Sequence, residues 1–344
     1  MQTVNFYSFA EIIHTKPIHM KQFNIGIIGC GHIAEKMADT LRQMEDACCY
    51  AVASRSQEKA AAFARKWKAE KAYGSYEQLA DDPAVDLIYI ATPHSLHYEQ
   101  ARMCIEKGKP VLCEKAFTAN ARQAEALLRL AKDKQVFITE AIWTRYLPLS
   151  LKMQELLAQG AIGTPHTLTA NLSYPIADKK RIIRPELAGG ALLDIGIYTL
   201  NLAAMAFGTE IESVHSVCQK TPTGVDAQES ITLLYKDGRM ASLQSSIYAK
   251  SDRMGIVAGD KGHLIVDNIN CPETLRIVDS QYQTTAVYQA PPKITGFEYQ
   301  VRACMEALSH GWLESPYMPH QETLRIMRQM DALRKEWGVC YPCD

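Results

Sequence analysis

Between residues 24 and 140 the chain alternates short, almost wholly apolar runs with longer stretches whose apolar residues recur every three or four positions. The runs at 24–28, 50–54, 87–91, 111–113 and 136–139 are predicted to be fully buried strands, and 32–45, 56–67, 95–107 and 119–133 to be helices. Strand and helix in alternation predict a doubly wound parallel sheet of the α/β class. The pattern changes after residue 143. A helix near 146–159 and an apolar helix over 190–207 accompany β-like runs at 166–174, 213–220, 230–235, 240–248, 263–266 and 275–278, broken by KDGR and GDKG turns. Helices at 296–309 and 320–337 close the chain. This second region reads as α+β with a large, mainly antiparallel open sheet. The division predicted is an extension at 1–20, a first domain at 21–143 and a second at 144–344. Ile231, Leu233, Leu243 and Ile247 suggest apolar cover on the second sheet, whose open face would pair two copies of the chain.

Composition narrows the class. The 344 residues are 47% hydrophobic and 22% charged, with 37 Lys and Arg against 38 Asp and Glu, so neither disorder nor a nucleic-acid footprint is implied. No apolar run reaches the ~18 residues of a membrane span. Glu11, His14 and Lys16 interrupt the N-terminal stretch, which therefore lacks the core of a signal peptide, and Met20 reads as a natural start. A cytoplasmic protein is expected. Its ten cysteines are scattered through apolar segments and read as reduced thiols. Cys340 and Cys343 form a lone CxxC, and His94 and His97 lack a third ligand at metal spacing, so no metal is expected.

The chemistry begins with NIGIIGCGHIAEKMA at 24–38. A strand leads through Gly29, Cys30 and Gly31 into a helix. Gly29 permits the turn, Gly31 admits a pyrophosphate, and Ala34 is the small residue where helix meets strand. Open N–H groups of His32, Ile33 and Ala34 would face the phosphates, and the whole describes a Rossmann dinucleotide site. After the second strand, where Asp or Glu would favour NAD, stand Ser54 and Arg55, with Lys59 one helical turn on. That exchange suits a 2′-phosphate, hence NADP, with NAD the less favoured cofactor. Thr92 and Pro93 leave the sheet on the cofactor edge, and His97 follows in the next helix. Glu114 and Lys115 come straight after an apolar strand on the same edge. A lysine there binds substrate oxygen and lowers the pKa of a neighbouring acid, for which the partner is Tyr198. Asp194 lies four residues before Tyr198 in an otherwise apolar helix, so it must be a cap, a substrate ligand or a partner of the lysine.

Taken together, these residues resemble the glucose-fructose oxidoreductase, inositol dehydrogenase and MocA (Gfo/Idh/MocA) family over about residues 21–337. EAIWTRY at 140–146, GGALLDIGIY at 189–198, TGVD at 223–226 and ESP at 314–316 are similar to its branch of dimeric dihydrodiol dehydrogenases, also described as NADP-linked D-xylose dehydrogenases. The resemblance implies that Lys115 is the catalytic lysine of a Glu-Lys-Pro element, with Ala116 here in place of proline. It implies Tyr198 where many members have His, Arg55 at the 2′-phosphate, and His97, Trp143 and Arg145 around the substrate. The reaction implied is hydride transfer between nicotinamide and a hydroxyl or carbonyl carbon of a sugar, polyol or trans-dihydrodiol, in a homodimer. Another sugar or inositol on the same machinery, or a non-catalytic NADP sensor, stays open at this point.

Overall fold

A computed structural model describes residues 22–344, so the expected extension, with Met20, lies outside the described residues. Six strands form a parallel sheet in the order β3-β2-β1-β4-β5-β6: β1 (Phe23–Ile28), β2 (Ala47–Ala53), β3 (Lys71–Tyr73), β4 (Leu87–Ile90), β5 (Val111–Glu114) and β6 (Ile138–Ala141). The connecting helices are α1 (His32–Gln43), α2 (Gln57–Trp67), α3 (Tyr76–Asp81), α4 (His94–Glu106) and α5 (Ala121–Lys134). Helices on both faces leave Ile27, Val52, Leu87, Ile88 and Leu112 no solvent contact, which is why these strands are continuous apolar runs. Winding reverses between β1 and β4, and the crevice outside their carboxyl ends is where such sheets take a ligand. The sequence pattern missed β3 and α3. Both are short, and every β3 residue is only half-buried, so neither has a strong apolar period.

Eight strands build the second sheet, β14-β13-β12-β11-β7-β10-β9-β8. They are β7 (Pro165–Ser173), β8 (Ile211–Lys220), β9 (Asp226–Tyr235), β10 (Met240–Ser246), β11 (Gly255–Gly259), β12 (Gly262–Val266), β13 (Thr274–Asp279) and β14 (Thr284–Gln289). Pairing is antiparallel except between β7 and β10. The unforeseen strands are β11, bounded by glycines, and the exposed edge strand β14. One face packs against α6 (Pro148–Ala158), α7 (Ile197–Phe207) and α9 (His320–Trp337), while α8 (Glu298–Ser309) packs near residues 143–146. Ile231, Leu233, Leu243 and Ile247 are at most 1% exposed and belong to this covered face. The apolar cover expected on this sheet therefore lies on its helix-packed face. The open face presents polar residues at its centre, Thr169, Thr232, Ser242 and Gln244, because the period-2 pattern turns every alternate residue outward.

The domain boundary is less clean than the sequence suggests. The α9 helix packs on both β8 and α5, the Ala121 N–H donates to Asp331 at 2.7 Å, and the Asn120 amide donates to the Cys343 carbonyl at 3.1 Å. The stretch Pro185–Phe207 is long and apolar enough to cross a membrane by composition, yet its most apolar window is 94% buried inside the fold. It is the core helix that carries Asp194 and Tyr198.

Ser242 and Leu243 are neighbours on opposite faces of β10, with Leu243 fully buried. Leu243→Ala is expected to lose about 2–5 kcal/mol in denaturant unfolding and Ser242→Ala less than about 0.5 kcal/mol. Similar losses at the two positions would refute the assignment of faces.

Candidate active site

The glycine turn has the form a dinucleotide needs. Gly29 takes φ +108°, and an added Cβ would stand 2.8 Å from the Ala91 carbonyl oxygen. Gly31 is the N-cap of α1, no side chain caps that helix, and a Cβ built on Gly31 meets nothing within 4 Å. Open N–H groups at His32 and Ile33 thus border free space, and Ala34 is fully buried at the helix–strand contact. Around the end of β2, Arg55 and Lys59 are exposed and Ser54 half-buried. Arg55 acts electrostatically on the Tyr76 hydroxyl and Lys59 on the Cys30 thiol, so both cations stay beside the turn. Thr92 donates to Gln100 at 2.6 Å, and Pro93 caps α4 at the adjacent strand end. These residues fit a dinucleotide whose pyrophosphate lies on the start of α1.

Along the same edge, β5 delivers Lys115. Its Nζ donates to the Asp194 carbonyl oxygen at 2.6 Å and to Asp194 Oδ1 at 3.2 Å, and stands 5.2 Å from the centre of the Tyr198 ring. The chain leaves Lys115 for Ala116 through a cis peptide bond. Asp194 proves to be the lysine's partner, and it has a second one. Arg181 Nη1 reaches Oδ1 at 2.8 Å and Nη2 reaches Oδ2 at 3.3 Å. Burial alone would raise the Asp194 pKa, but the charges of Lys115 and Arg181 outweigh it and hold this carboxyl well below the usual range. The backbone widens into a π-turn at Leu192–Gly196 before continuing as α7 with Tyr198 in its first turn. Such turns recur at functional sites.

Tyr198 departs from the expectation built on the sequence. Its pKa stands well above the ordinary value, because burial disfavours the phenolate and the carboxyls of Glu114 and Asp194 add to the effect. The Lys115 charge does not offset this, since its closest contacts are with Asp194. The phenol is therefore neutral at pH 7.

Two substrate residues named from the sequence are engaged elsewhere. His97 is fully buried, with Nδ1 2.9 Å from the Ala116 carbonyl and Nε2 2.8 Å from that of Thr92. Burial lowers its pKa, so the neutral ring has one N–H to give and fastens α4 to the segment after Lys115. Arg145 lies buried with Nε bonded to Asn201 at 2.6 Å and Nη2 to Glu322 at 2.9 Å, which joins α7 to α9. Both spend their hydrogen bonds on neighbouring elements of the fold. The Lys115 charge acts on both histidines, and His94, which also feels Asp194, is pushed down to about 3, first by burial and then by Lys115. Trp143 is also buried. Its Nε1 donates to Asn270 at 2.9 Å, Phe297 packs 4.9 Å away, and Lys36 Nζ sits 4.1 Å over the ring.

Arg181, Asn270, Phe297 and Lys36 went unseen in the sequence, where loop and surface positions carry no period. Tyr89 had a signal: a tyrosine inside a buried strand needs a polar partner. That partner is Glu114, which accepts a hydrogen bond from the Tyr89 hydroxyl. Among the described residues no group of three His, Cys, Asp or Glu converges as a metal site.

The family described as GFO_IDH_MocA, an oxidoreductase family with an NAD-binding Rossmann fold, matches residues 23–141, and the GFO/IDH/MocA C-terminal domain matches 150–265. Trans-1,2-dihydrobenzene-1,2-diol dehydrogenase of Xenopus laevis is 35% identical over 325 residues, covering 92% of this chain and 98% of the relative. The Homo sapiens protein of the same name is 33% identical, covering 93% and 98%. An aldose-aldose oxidoreductase from Caulobacter crescentus, complexed with glycerol, is similar at a TM-score of 0.84 and 23% identity, covering 92% and 98%. A 3-ketoreductase from Actinomadura kijaniata, in complex with NADP and TDP-benzene, reaches 0.83 at 24% identity, covering 93% and 98%. The two structural matches speak for the fold alone.

Burial raises the Glu114 pKa from 4.5 to about 7, against the bond from Tyr89 and the charge of Lys115. A carboxyl raised on folding favours the native state fully below its unfolded pKa, and that contribution is lost as pH climbs through the folded value. Glu114→Gln keeps an acceptor for Tyr89 and removes the ionisation. Its stability relative to the unmodified protein is expected to improve between pH 5 and pH 8 by on the order of 2–3 kcal/mol. A difference that stays flat across that range in thermal melts would contradict the raised value.

Proposed function

The chain belongs to the Gfo/Idh/MocA oxidoreductase family and is an NAD(P)-dependent oxidoreductase, and from this premise we propose that it prefers NADP and oxidises or reduces a sugar, polyol or trans-dihydrodiol. The observation that carries the proposal is the joining of Lys115, Asp194 and Tyr198 on the same sheet edge as the glycine turn and the Arg55 and Lys59 cations. When bound, the nicotinamide accepts or supplies the hydride. The substrate oxygen lies between the Tyr198 hydroxyl and the Lys115 ammonium. In reduction the neutral phenol gives its proton to the carbonyl oxygen as hydride reaches the carbon, with Lys115 holding the developing negative charge. In oxidation the acceptor of the hydroxyl proton is the Tyr198 phenolate, which a pKa raised above the ordinary value makes plentiful only at alkaline pH. Trp143 supplies a flat apolar wall that suits a sugar's C–H face or a diol ring.

The relatives' action on a dihydrodiol supports the diol, and the branch resemblance supports pentoses such as D-xylose. Two copies pairing through the open face of the eight-stranded sheet, and a reducing cytoplasmic setting consistent with ten free thiols, complete the proposal.

NADPH is expected to bind more tightly than NADH, and Arg55→Ala to narrow the gap by about 1.5–3 kcal/mol, the strength of a charge-assisted contact. Equal affinities in the unmutated protein, measured by fluorescence titration, would count against the NADP preference.

Assayed on pentoses, hexoses, polyols and dihydrodiols, oxidative kcat/KM should rise with pH above neutrality while reductive kcat/KM holds until alkaline pH, the signs required by a Tyr198 pKa shifted upward. Tyr198→Phe should lower turnover by about 10²–10⁴-fold and spare NADPH affinity. Lys115→Met should also cripple turnover, with losses far from additive. Near-normal turnover in Tyr198→Phe would remove Tyr198 from the proton-transfer role.

A further inference from the structure

Arg181 belongs to no strand or helix, yet its guanidinium contacts the Asp194 carboxylate more closely than Lys115 does. The connection that carries it, residues 174–191, runs from β7 into the helix bearing Asp194 and Tyr198. Its path there is fixed. Ile182 is fully buried, its carbonyl accepts the Gly190 N–H at 2.8 Å, and Thr223 Oγ1 donates to the Ile183 carbonyl at 2.5 Å. An added Cβ on Gly189 would stand 2.3 Å from the Ile182 carbonyl oxygen and 2.8 Å from that of Arg181, so the glycine lets this backbone lie against the start of the helix.

We infer that Arg181 is a positioning residue for the reaction: by occupying Asp194 it keeps the Lys115 ammonium from closing into a private ion pair and leaves that ammonium able to hold the substrate oxygen. The inference rests on the function proposed above. Asp194 Oδ1 is shared, at 2.8 Å from Arg181 and 3.2 Å from Lys115, while Oδ2 faces Arg181 at 3.3 Å. Lys115 has three N–H bonds, of which two go to the Asp194 carbonyl and Oδ1. The third has no acceptor among the described residues. Without Arg181 the buried carboxylate has one cation left, and a charge with a single partner in a dry site draws that partner in. Asp194 would then also act on Tyr198 with its charge less neutralised. Both consequences hinder proton removal from a substrate hydroxyl. The other ionisable groups around the pair are Glu114 from β5, Tyr89 from β4, His94 and His97 from α4 and Tyr174 just past β7, and the Arg181 guanidinium bonds go to Asp194.

The test compares Arg181→Met, Arg181→Lys and the unmodified protein in full-length form. Two readings are taken: the pH profile of oxidative kcat/KM on the best substrate of the panel, and the acetylation rate of Lys115 by acetic anhydride, followed by mass spectrometry without substrate or cofactor. Expected for Arg181→Met are an acid limb displaced upward by about one pH unit, kcat lowered about 10- to 100-fold at pH 7.5, NADPH affinity within about twofold, and Lys115 acetylation slowed severalfold. Arg181→Lys should recover part of each change. An unmoved acid limb together with unaltered Lys115 acetylation overturns the inference, even if kcat falls, since a merely structural loss would give that result. If Arg181→Met does not fold, Arg181→Lys decides by acetylation, with an unmodified rate overturning the inference. Absence of turnover by the unmodified protein on every substrate class would sink the proposed function instead, and the acetylation comparison would still judge Arg181.

Discussion

A single carboxylate organises this site. Asp194 is buried, and an isolated charge at that depth would cost several kcal/mol or accept a proton. It stays ionised because Lys115 arrives from the first sheet and Arg181 from the second region's β7 connection. Removing one partner of such a buried pair typically costs about 3–5 kcal/mol, so the three groups hold the two halves of the protein in register as well as forming a reactive centre. Tyr198 follows from the same arrangement. Because the phenol is buried and has the Glu114 and Asp194 carboxyls beside it, it keeps its proton, and the resting protein is prepared as an acid.

The helix that presents these residues is itself mounted on acids. Asp226 accepts the Leu192 N–H at 2.5 Å, and Glu229 accepts from Ser245. An added Cβ on Gly190 would come within 2.2 Å of Asp226, and one on Gly196 within 2.6 Å of Glu229, so two glycines make room for two carboxyls beneath the π-turn. Asp226 Oδ1 and Glu229 Oε2 have no hydrogen-bond partner among the described residues. Burial pushes Asp226 up to about 6 and Glu229 well above its ordinary value, so near neutrality the two carboxyls hold a proton between them rather than two negative charges. A proton held there removes one of the two negative charges beneath the helix.

Much of this was legible in the sequence, for reasons that differ by residue. The buried strands β1, β4 and β5 announced themselves because both of their faces are covered, and α9 because its apolar stripe and following glycine mark a complete helix. Gly29 and Gly31 could be read because turn chemistry is local. Lys115 and Asp194 could be read because a charge beside an apolar run demands a partner. What remained hidden depends on distance in the fold. His97 and Arg145 were polar residues of the right type in the right motif, and nothing local showed that backbone carbonyls, Asn201 and Glu322 would take their bonding capacity. Arg181 lay hidden for the converse reason, since an arginine beside two lysines reads as a solvated surface. The alternation in β9 and β10 identified two faces without saying which was covered by helices.

The embrace of α5 by α9 has a consequence for how the protein is made. Asp331 accepts the Ala121 N–H, Arg334 binds Asp344, and Asp344 with the Cys343 carbonyl receives the Asn120 amide. Residues 320–344 are therefore an integral wall of the nucleotide-binding half, although the ribosome synthesises them some two hundred residues after α5. While translation runs, the start of α5 waits with its Ala121 N–H open and one flank uncovered. The first half of the chain emerges early but is sealed late, and during that interval its exposed flank is a natural station for a chaperone.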